Sequence, residues 1–374
     1  MKPFTRLAAI SLLGLGAFGV SAESKPLFTP YGFVLTSYDF ANAGVASFGS
    51  TNLVAPTAAA ARAAPSDSLA RSSFHAAQSR LGTLIRPSEV LTAKFEIDFA
   101  DFNKASTTTG SMPRLRLAKI DYAADAENTF FFGQDWDLFS PLHPHTYNLV
   151  GSSFQAGNSG FVRQQFGWLR KTAASETGVS LGLPGTNNAA SDGNLEISRV
   201  PTVSARWSWI GEGSRSGLSA VATRLLLGSP GSVSQTAYGV ALHHESTLGA
   251  LNLRGEIYAG QGLANIGALT LSQSRADRAM REAGGWLSAK WGFSPGQSLY
   301  AGIGFASVID RAQVAAPSPT TTGLKGNRNL RLGYDRKIAE LLNTYVEYNH
   351  YQSAWQVMGT ANASTFGTGF QLPF

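Results

Sequence analysis

The chain of 374 residues contains no cysteine, little charge and, beyond its first residues, no long apolar run. Without cysteine, a disulfide scaffold and a cysteine-ligated metal site are excluded. Charged residues make up 14% of the sequence, whereas soluble proteins usually carry about 25%. After residue 22 no stretch reaches the roughly 18 apolar residues that a transmembrane helix needs. The composition therefore argues against both an ordinary soluble domain and a helical membrane protein.

The first 22 residues have the features of a secretory signal peptide. Lys2 and Arg6 give a positive start, an apolar segment follows over residues 7–20, and Ala22 closes a small-residue cleavage pattern. We predict cleavage before Glu23, export of the chain, and a single barrel domain over residues 23–374. Loss of the two basic residues lowers the net charge from +6 to +4, a surplus too small to argue for a nucleic-acid partner.

Apolar and polar residues alternate repeatedly along the chain. In residues 90–99, Leu91, Phe95 and Ile97 on one face alternate with Lys94 and Glu96 on the other. A period of two is the pattern of a β-strand whose two faces meet different solvents. The pattern recurs in residues 203–209, 251–258, 287–293, 299–305 and 366–374. Applied to the whole chain, it predicts about 16 strands of about ten residues, the length that a tilted membrane strand needs.

The predicted connections alternate between short and long. Short turns are expected around residues 87–89, 125, 213, 247 and 294–297, and long loops around residues 41–70, 137–160, 185–199, 261–283, 312–326 and 352–363. Short turns at one end and long loops at the other are typical of outer-membrane barrels. Closure of a barrel also removes unpaired strand edges, which lipid cannot satisfy. We therefore predict an all-β fold: a 16-stranded antiparallel transmembrane β-barrel with long loops outside and short turns in the periplasm.

The charged residues on the predicted lumen face would set the properties of such a barrel. Basic side chains outnumber acidic ones there, and rings of arginine and lysine favour anions in a pore. Arginine also binds carboxylates through two parallel hydrogen bonds. The alternative is that these charges pair across strands and only stabilise the wall. The predicted pore-lining or solute-binding residues are Arg80, Lys94, Arg114, Arg116, Arg163, Arg206, Arg254 and Arg331.

Arg114 and Arg116 are two residues apart, so a regular strand points both guanidinium groups to the same side. The two charges repel each other unless acids or an anionic solute lie opposite. We expect the long loop over residues 137–160, which we call the third loop, to supply such acids. The constriction candidates in and beside that loop are Asp135, Asp137, His143 and His145.

Sequence motifs for chemistry are weak. His143 and His145 flank a proline and have no nearby pair of carboxylates, so they do not predict a metal site. His243 and His244 would point to opposite faces of a strand and could not chelate together. The sequence contains no nucleophile elbow and no glycine-rich phosphate loop. We therefore expect no reaction, no cofactor and no metal, and an outer-membrane hydrolase stays a minor alternative.

The chain resembles the DcaP-like trimeric porins of Gram-negative bacteria through short motifs in the same order. They are Tyr31-Gly32-Phe33-Val34, Ser79-Arg80-Leu81-Gly82, Arg114-Leu115-Arg116, Phe132-Gly133-Gln134-Asp135-Trp136, Phe161-Val162-Arg163-Gln164-Gln165, Pro201-Thr202-Val203-Ser204-Ala205-Arg206 and Gly260-Gln261-Gly262. The resemblance covers most of the chain after the first 22 residues and is best from about residue 70 to 265. Asp135 departs from the motif, where a small hydroxyl residue is usual.

This resemblance implies a 16-stranded homotrimeric barrel, embedded in outer-membrane lipid, that passes small anionic solutes, notably dicarboxylates. Arg80, Arg114, Arg116, Arg163 and Arg206 fall on its motif positions. In large porins a loop from this part of the chain often folds inward and narrows the pore, so we expect the same of the third loop. The alternatives left open are a general porin without selectivity and a plugged structural or adhesive barrel.

Overall fold

The computed structural model describes residues 27–45, 69–99, 113–148, 153–160, 162–183, 190–192, 195–197, 201–227, 233–268, 270–271, 278–314, 323–356 and 359–374. The predicted signal peptide lies outside these residues, so its cleavage stays a prediction. Within the described ranges, no helix is long and apolar enough to cross a membrane.

Strands account for most of the described residues. They are β1 (Phe28–Ala41), β2 (Arg71–His75), β3 (Arg80–Ile85), β4 (Leu91–Asp98), β5 (Arg114–Ala123), β6 (Asn128–Trp136), β7 (Val162–Lys171), β8 (Ser175–Gly182), β9 (Ala190–Asp192), β10 (Leu195–Ile197), β11 (Thr202–Gly211), β12 (Ser214–Leu227), β13 (Val233–Leu248), β14 (Leu251–Gln261), β15 (Arg281–Ser294), β16 (Gln297–Val308), β17 (Leu324–Ala339), β18 (Leu342–Trp355) and β19 (Gly359–Pro373). Two short 3-10 helices, Leu263–Ile266 and Arg311–Gln313, lie in the connections, and β9 and β10 form a separate hairpin.

The remaining strands form one closed antiparallel sheet. β2 and β3 pair with the two halves of β1, with Phe74 opposite Tyr38 and Gly82 opposite Tyr31, so together they make a single interrupted strand. β1 also pairs with β19, which joins the first strand to the last. The predicted 16-stranded antiparallel barrel is confirmed. Closure gives every strand two neighbours, as a sheet in lipid requires.

The connections differ in length at the two ends of the barrel, as predicted. Short turns occupy residues 86–90, 124–127, 172–174, 212–213, 249–250, 295–296 and 340–341. Along the chain, six longer connections alternate with these turns, over residues 42–70, 99–113, 137–161, 183–201, 262–280 and 309–323, while β12–β13 and β18–β19 are separated by only five and three residues. The prediction of a long loop over residues 352–363 is wrong, because β18 and β19 stay paired as far as Trp355 and Gly359. Their outward residues there are polar, so the strand pattern fades while the pairing continues.

The outer face of the barrel is apolar and the inner face is polar. Leu242, Ile257, Leu287 and Ile303 point outward and are 53–55% exposed. On the inner face of the same wall, polar side chains such as Glu256 are buried. A continuous band of exposed large apolar side chains is what lipid contact requires. The alternation in the sequence therefore reflects two solvents, lipid outside and a polar interior.

Candidate pore constriction

Loop three comprises residues 137–161, and its described residues, 137–148 and 153–160, run inside the barrel. Ser140 Oγ donates a hydrogen bond of 2.6 Å to the Glu256 carboxylate, and the Leu142 backbone N–H donates one of 2.8 Å to the same group. The His145 backbone N–H donates to Ser288 Oγ at 3.0 Å. Glu256 lies on β14 and Ser288 on β15, so the loop is fixed against this part of the inner wall. The expectation of an inward-folding third loop agrees with this geometry.

The loop continues across the lumen face of β18. Thr146 Oγ1 donates to the Glu347 carboxylate at 2.7 Å and the Tyr147 backbone N–H donates to it at 3.2 Å. The Tyr147 ring stacks on Tyr345 with ring centroids 4.3 Å apart and planes 5° apart. Two buried carboxylates, Glu256 and Glu347, thus hold residues 140–147, in the first half of the loop, by accepting their hydrogen bonds.

In the second half of the loop, the backbone of Ala156 and Gly157 packs directly on the barrel wall. A Cβ atom on Gly157 would lie 2.0 Å from the Gly285 carbonyl oxygen, and one on Gly304 would lie 2.1 Å from the Ala156 carbonyl oxygen. Gly157 also has φ of 110°, a value that favours glycine. This close approach needs residues without side chains on both surfaces.

A buried ion pair fixes the start of loop three. Arg163 Nε donates to Asp137 Oδ2 at 2.6 Å, and Ser204 Oγ donates to the same oxygen at 3.1 Å. Arg163 also donates to the carbonyl oxygens of Leu183 and Ile266. Arg163 is only 3% exposed. This predicted pore-lining residue is therefore buried, and its contacts join loop three to the segments that contain Leu183 and Ile266.

On the other side of the lumen, β3, β4 and β5 carry the basic wall, which we define as Arg80, Lys94, Arg114 and Arg116. In the strand order β4 lies half-way round the barrel from β14, to which loop three is fixed. Loop three then crosses the lumen, because Asn148 accepts a hydrogen bond of 3.3 Å from Gln78 Nε2, two residues before Arg80. The basic wall therefore lines the lumen beside loop three.

Carboxylates of β4 neutralise part of the basic wall. Arg114 donates two hydrogen bonds to Asp98, of 2.9 and 2.7 Å. Arg116 forms an ion pair with Glu96, and its Nε lies 3.7 Å from Asp98. The expectation that loop three supplies these acids is wrong: antiparallel pairing puts Asp98 directly opposite Arg114.

A β-bulge orients Arg116. Leu115 pairs with Ile97 and Leu117 pairs with Glu96, so Arg116 is the extra residue on β5. Bulges bend a strand and re-aim side chains. The Arg116 guanidinium carbon lies 5.2 Å from the centre of the Trp136 ring, a distance typical of a cation–π contact. Arg116 thus links β4, β5 and the start of loop three.

The other two cations of the basic wall contact aromatic rings. The Arg80 guanidinium carbon lies 5.5 Å from the Phe33 ring centre, and Lys94 Nζ lies 5.3 Å from the Tyr31 ring centre. Among the described residues, neither side chain forms an ion pair or donates a hydrogen bond. The basic wall thus has four cations, of which Glu96 and Asp98 pair with two.

The other constriction candidates lie apart from the basic wall's carboxylates. Asp135 Oδ2 lies 2.8 Å from Lys119 Nζ. His143 packs against Trp136, with ring centroids 4.4 Å apart. Burial, assisted by the charges of Arg116, Arg80 and Arg254, lowers the pKa of His143 to about 3. Burial also lowers the pKa of His145 to about 4, so both imidazoles are neutral at pH 7. No cluster of three metal-ligating side chains occurs in the part of the chain that the structure describes.

The remaining predicted basic residues line other parts of the wall. Arg206 donates to Glu176 at 2.6 Å, and Arg254 Nε lies 3.8 Å from Glu245. Arg331 is fully buried and donates to Asn349 at 2.9 Å, next to the site where loop three is fixed. The sequence places Glu256 and Glu347 on the lumen face as acidic residues, but it did not predict that they hold loop three, and it did not single out Ser140.

No protein-family model and no curated protein sequence matches the chain. Among solved structures, the outer membrane channel DcaP of Acinetobacter baumannii superimposes with a TM-score of 0.71, at 15% identity, over 93% of this chain and 97% of that chain. The chain has the fold of the DcaP-like porins.

Two further porin-fold structures agree. An anion-selective porin from Comamonas acidovorans gives a TM-score of 0.59 at 11% identity over 93% of this chain and 99% of that chain. The trimer form of OmpT, an outer membrane protein of Vibrio cholerae, gives 0.54 at 12% identity over 93% and 99% of the two chains. With its lipid-facing apolar band, this porin fold belongs in the outer membrane of a Gram-negative bacterium.

Proposed function

We propose that the protein is a homotrimeric porin through which small anionic solutes diffuse passively across the outer membrane. The observation that carries this proposal is the basic wall beside loop three, in which four cations are accompanied by two carboxylates, Asp98 and Glu96. Positive side chains in a narrowed, partly dehydrated passage raise the local concentration of anions and repel cations.

The members of the basic wall divide into two roles. Arg114 and Arg116 are held by Asp98 and Glu96, so they contribute to the electric field and to the shape of the passage. Arg80 and Lys94 keep their N–H groups open, so they are the direct contacts for a passing anion. The register of β3 and β4 places Arg80 and Lys94 four residues apart along the wall, so a solute with two carboxylates can meet one cation after the other as it passes.

The structural neighbours support the proposal at the level of class. One is described as a channel, one as an anion-selective porin and one as a trimer. We carry the anion preference and the trimer over to this chain as parts of the proposal. Analytical ultracentrifugation of the detergent-solubilised protein tests the trimer, and a monomeric mass contradicts that part.

Reversal potentials in a planar bilayer under a salt gradient test the anion preference. We expect an anion-selective wild type and a reduced preference in Arg80→Gln. The matched control is Arg170→Gln, which removes an arginine that pairs with Glu127 and has a side chain 53% exposed near a short turn. A cation-selective wild type contradicts the proposal, and so do equal shifts in the two variants. Absence of any conductance would favour a plugged structural barrel.

A further inference from the structure

A second group of basic side chains lies on the lumen wall near the short-turn end of the barrel. We call it the turn-side cluster: Lys171, Arg206, Arg215 and Arg254, with the carboxylates Glu176 and Glu245. Its residues come from β7, β8 and β11–β14. Arg254 precedes Glu256 by one inward-facing position on β14, so the cluster lies on the short-turn side of the point where loop three is fixed.

The arginines of the cluster share too few acceptors. Arg206 donates a hydrogen bond of 2.6 Å to Glu176. Arg215 has nitrogens 3.9 Å from Glu176 and 3.1 Å from Glu245, and Arg254 Nε lies 3.8 Å from Glu245. In the described part of the chain, the Nε atoms of all three arginines are buried and form no hydrogen bond of good geometry, although Arg215 Nε lies 3.1 Å from a Glu245 oxygen. Four cations therefore surround two carboxylates.

Buried N–H groups without acceptors are unfavourable, and native structures rarely leave them in clusters. An oxyanion supplies several acceptors at once and balances the surplus charge. Guanidinium groups match the oxygen spacing of carboxylate and phosphate. The donors of the cluster thus define the chemistry of a ligand, a small molecule with a carboxylate or phosphate group.

Space for such a ligand lies beside these side chains. An open cavity of about 390 Å³ is lined by Lys171, Glu176, Arg215 and Glu245, together with Thr247 and Asn252. This volume lies in the range of small-molecule sites in proteins. Lys171, at the end of β7, adds a further cation at the cavity, and its ammonium forms no ion pair within the described residues.

We propose that the turn-side cluster is a second anion-binding site, which receives the carboxylate or phosphate group of a solute on the periplasmic side of loop three. The proposal rests on the proposed function, because it assumes that anions pass the basic wall. Two sites in series allow each to bind weakly, so that a solute enters readily and also leaves.

Location and affinity are measured separately. Crystals of the wild-type porin soaked in selenate locate the site by anomalous scattering. We expect a peak beside Lys171 and Arg215, which line the cavity, next to Arg254, which lies behind Glu245. Isothermal titration of the detergent-solubilised protein with inorganic phosphate, and separately with succinate, measures affinity. Tighter binding of one probe identifies the preferred group, while equal binding supports a general oxyanion site.

Two variants that change the charge in opposite directions test the electrostatic basis. Arg254→Gln is expected to weaken binding at this site about tenfold. Glu245→Gln, which removes a competing carboxylate, is expected to tighten it. If both variants weaken binding, the loss reflects damage to the wall and the second site is overturned.

Arg80→Gln separates the two proposals. It is expected to leave the selenate peak at the turn-side cluster unchanged while lowering the anion preference of the channel. A peak at the basic wall alone, in an anion-selective channel, overturns the second site and leaves the proposed function standing. A channel without anion preference overturns the proposed function, whatever the crystals show.

Discussion

The Arg163 guanidinium donates a 2.6 Å hydrogen bond to the Asp137 carboxylate, and this contact joins the first residue of loop three to strand β7. Both side chains are almost fully buried. Removing one partner of a buried ion pair leaves an uncompensated charge, which costs about 3–5 kcal/mol. The pair therefore has a measurable effect on stability.

We expect Arg163→Ala to lower the free energy of unfolding by about 3–5 kcal/mol, measured by reversible urea unfolding in lipid vesicles. The control is Arg170→Ala, whose exposed pair with Glu127 is worth at most about 1 kcal/mol. Similar losses in the two variants would show that burial of the Asp137 pair has no energetic consequence.

Glu256 is one of the two carboxylates that anchor loop three: it accepts from Ser140 and Leu142 of the loop and from Trp286 of β15. Glu256→Ala removes these acceptors, and each buried donor left unsatisfied costs about 1–3 kcal/mol. We expect the loop to loosen, with larger and noisier single-channel currents. Ser140→Ala removes one of the three donors and is expected to have a smaller effect in the same direction. Quiet currents of wild-type size in Glu256→Ala would contradict this role.

The paired arginines of the basic wall set its field. Arg114→Ala combined with Arg116→Ala leaves Asp98 and Glu96 without their cations, so the anion preference should fall. Adding Glu96→Gln and Asp98→Asn removes the two negative charges that the double variant leaves uncompensated by Arg114 and Arg116. It should restore part of the preference, as read from reversal potentials. An unchanged preference in the double variant would show that these arginines do not act on passing ions.

The lowered pKa of His143 predicts that the folded protein loses stability at acid pH. Its folded-state pKa of about 3 lies below the ordinary value of 6.5, so the unfolded chain binds a proton first as the pH falls. Stability is therefore complete above about pH 6.5 and falls toward pH 3, by at most about 1.4 kcal/mol per pH unit. Arg116, Arg80 and Arg254 act in the same direction as burial.

The variant His143→Phe keeps an aromatic ring beside Trp136 and removes the proton-binding group. We expect its urea midpoint to fall less than that of the wild type between pH 6.5 and pH 4. His145, whose pKa is lowered to about 4, remains in both proteins and serves as a common background. Parallel acid profiles for the two proteins would exclude His143 as the cause.

The second half of loop three leaves no space for a side chain at Gly157. A methyl group there would meet the Gly285 carbonyl oxygen, so Gly157→Ala should push this part of the loop off the wall and change the single-channel conductance. Gly249→Ala is the control, because it also has positive φ but has no atom near its Cβ position. Unchanged conductance in Gly157→Ala would show that the loop tolerates the displacement.

The sequence was sufficient to predict the barrel, but it was insufficient to predict the contacts across the lumen. Residues 90–99 identify a strand because each apolar side chain faces lipid and each polar one faces the interior, and that contrast is local. The position of Arg116 could not be predicted from the same pattern, since a bulge shifts the register between β4 and β5. Asp98 and Glu96 were expected to pair across strands, but the acids opposite Arg116 were sought in the third loop and not on the preceding strand, where they lie.

The sequence by itself determined that this chain forms about sixteen two-faced strands with short and long connections. The reason is that lipid-facing and interior-facing residues alternate between neighbouring positions, so the pattern is local. Only the tertiary structure decided which charges remain open. Glu256 and Glu347 bind loop three across the lumen, Arg163 and Arg331 are buried by protein, and Arg80 and Lys94 keep free donors. Those outcomes depend on register and on contacts between residues distant in the chain, which no local pattern records.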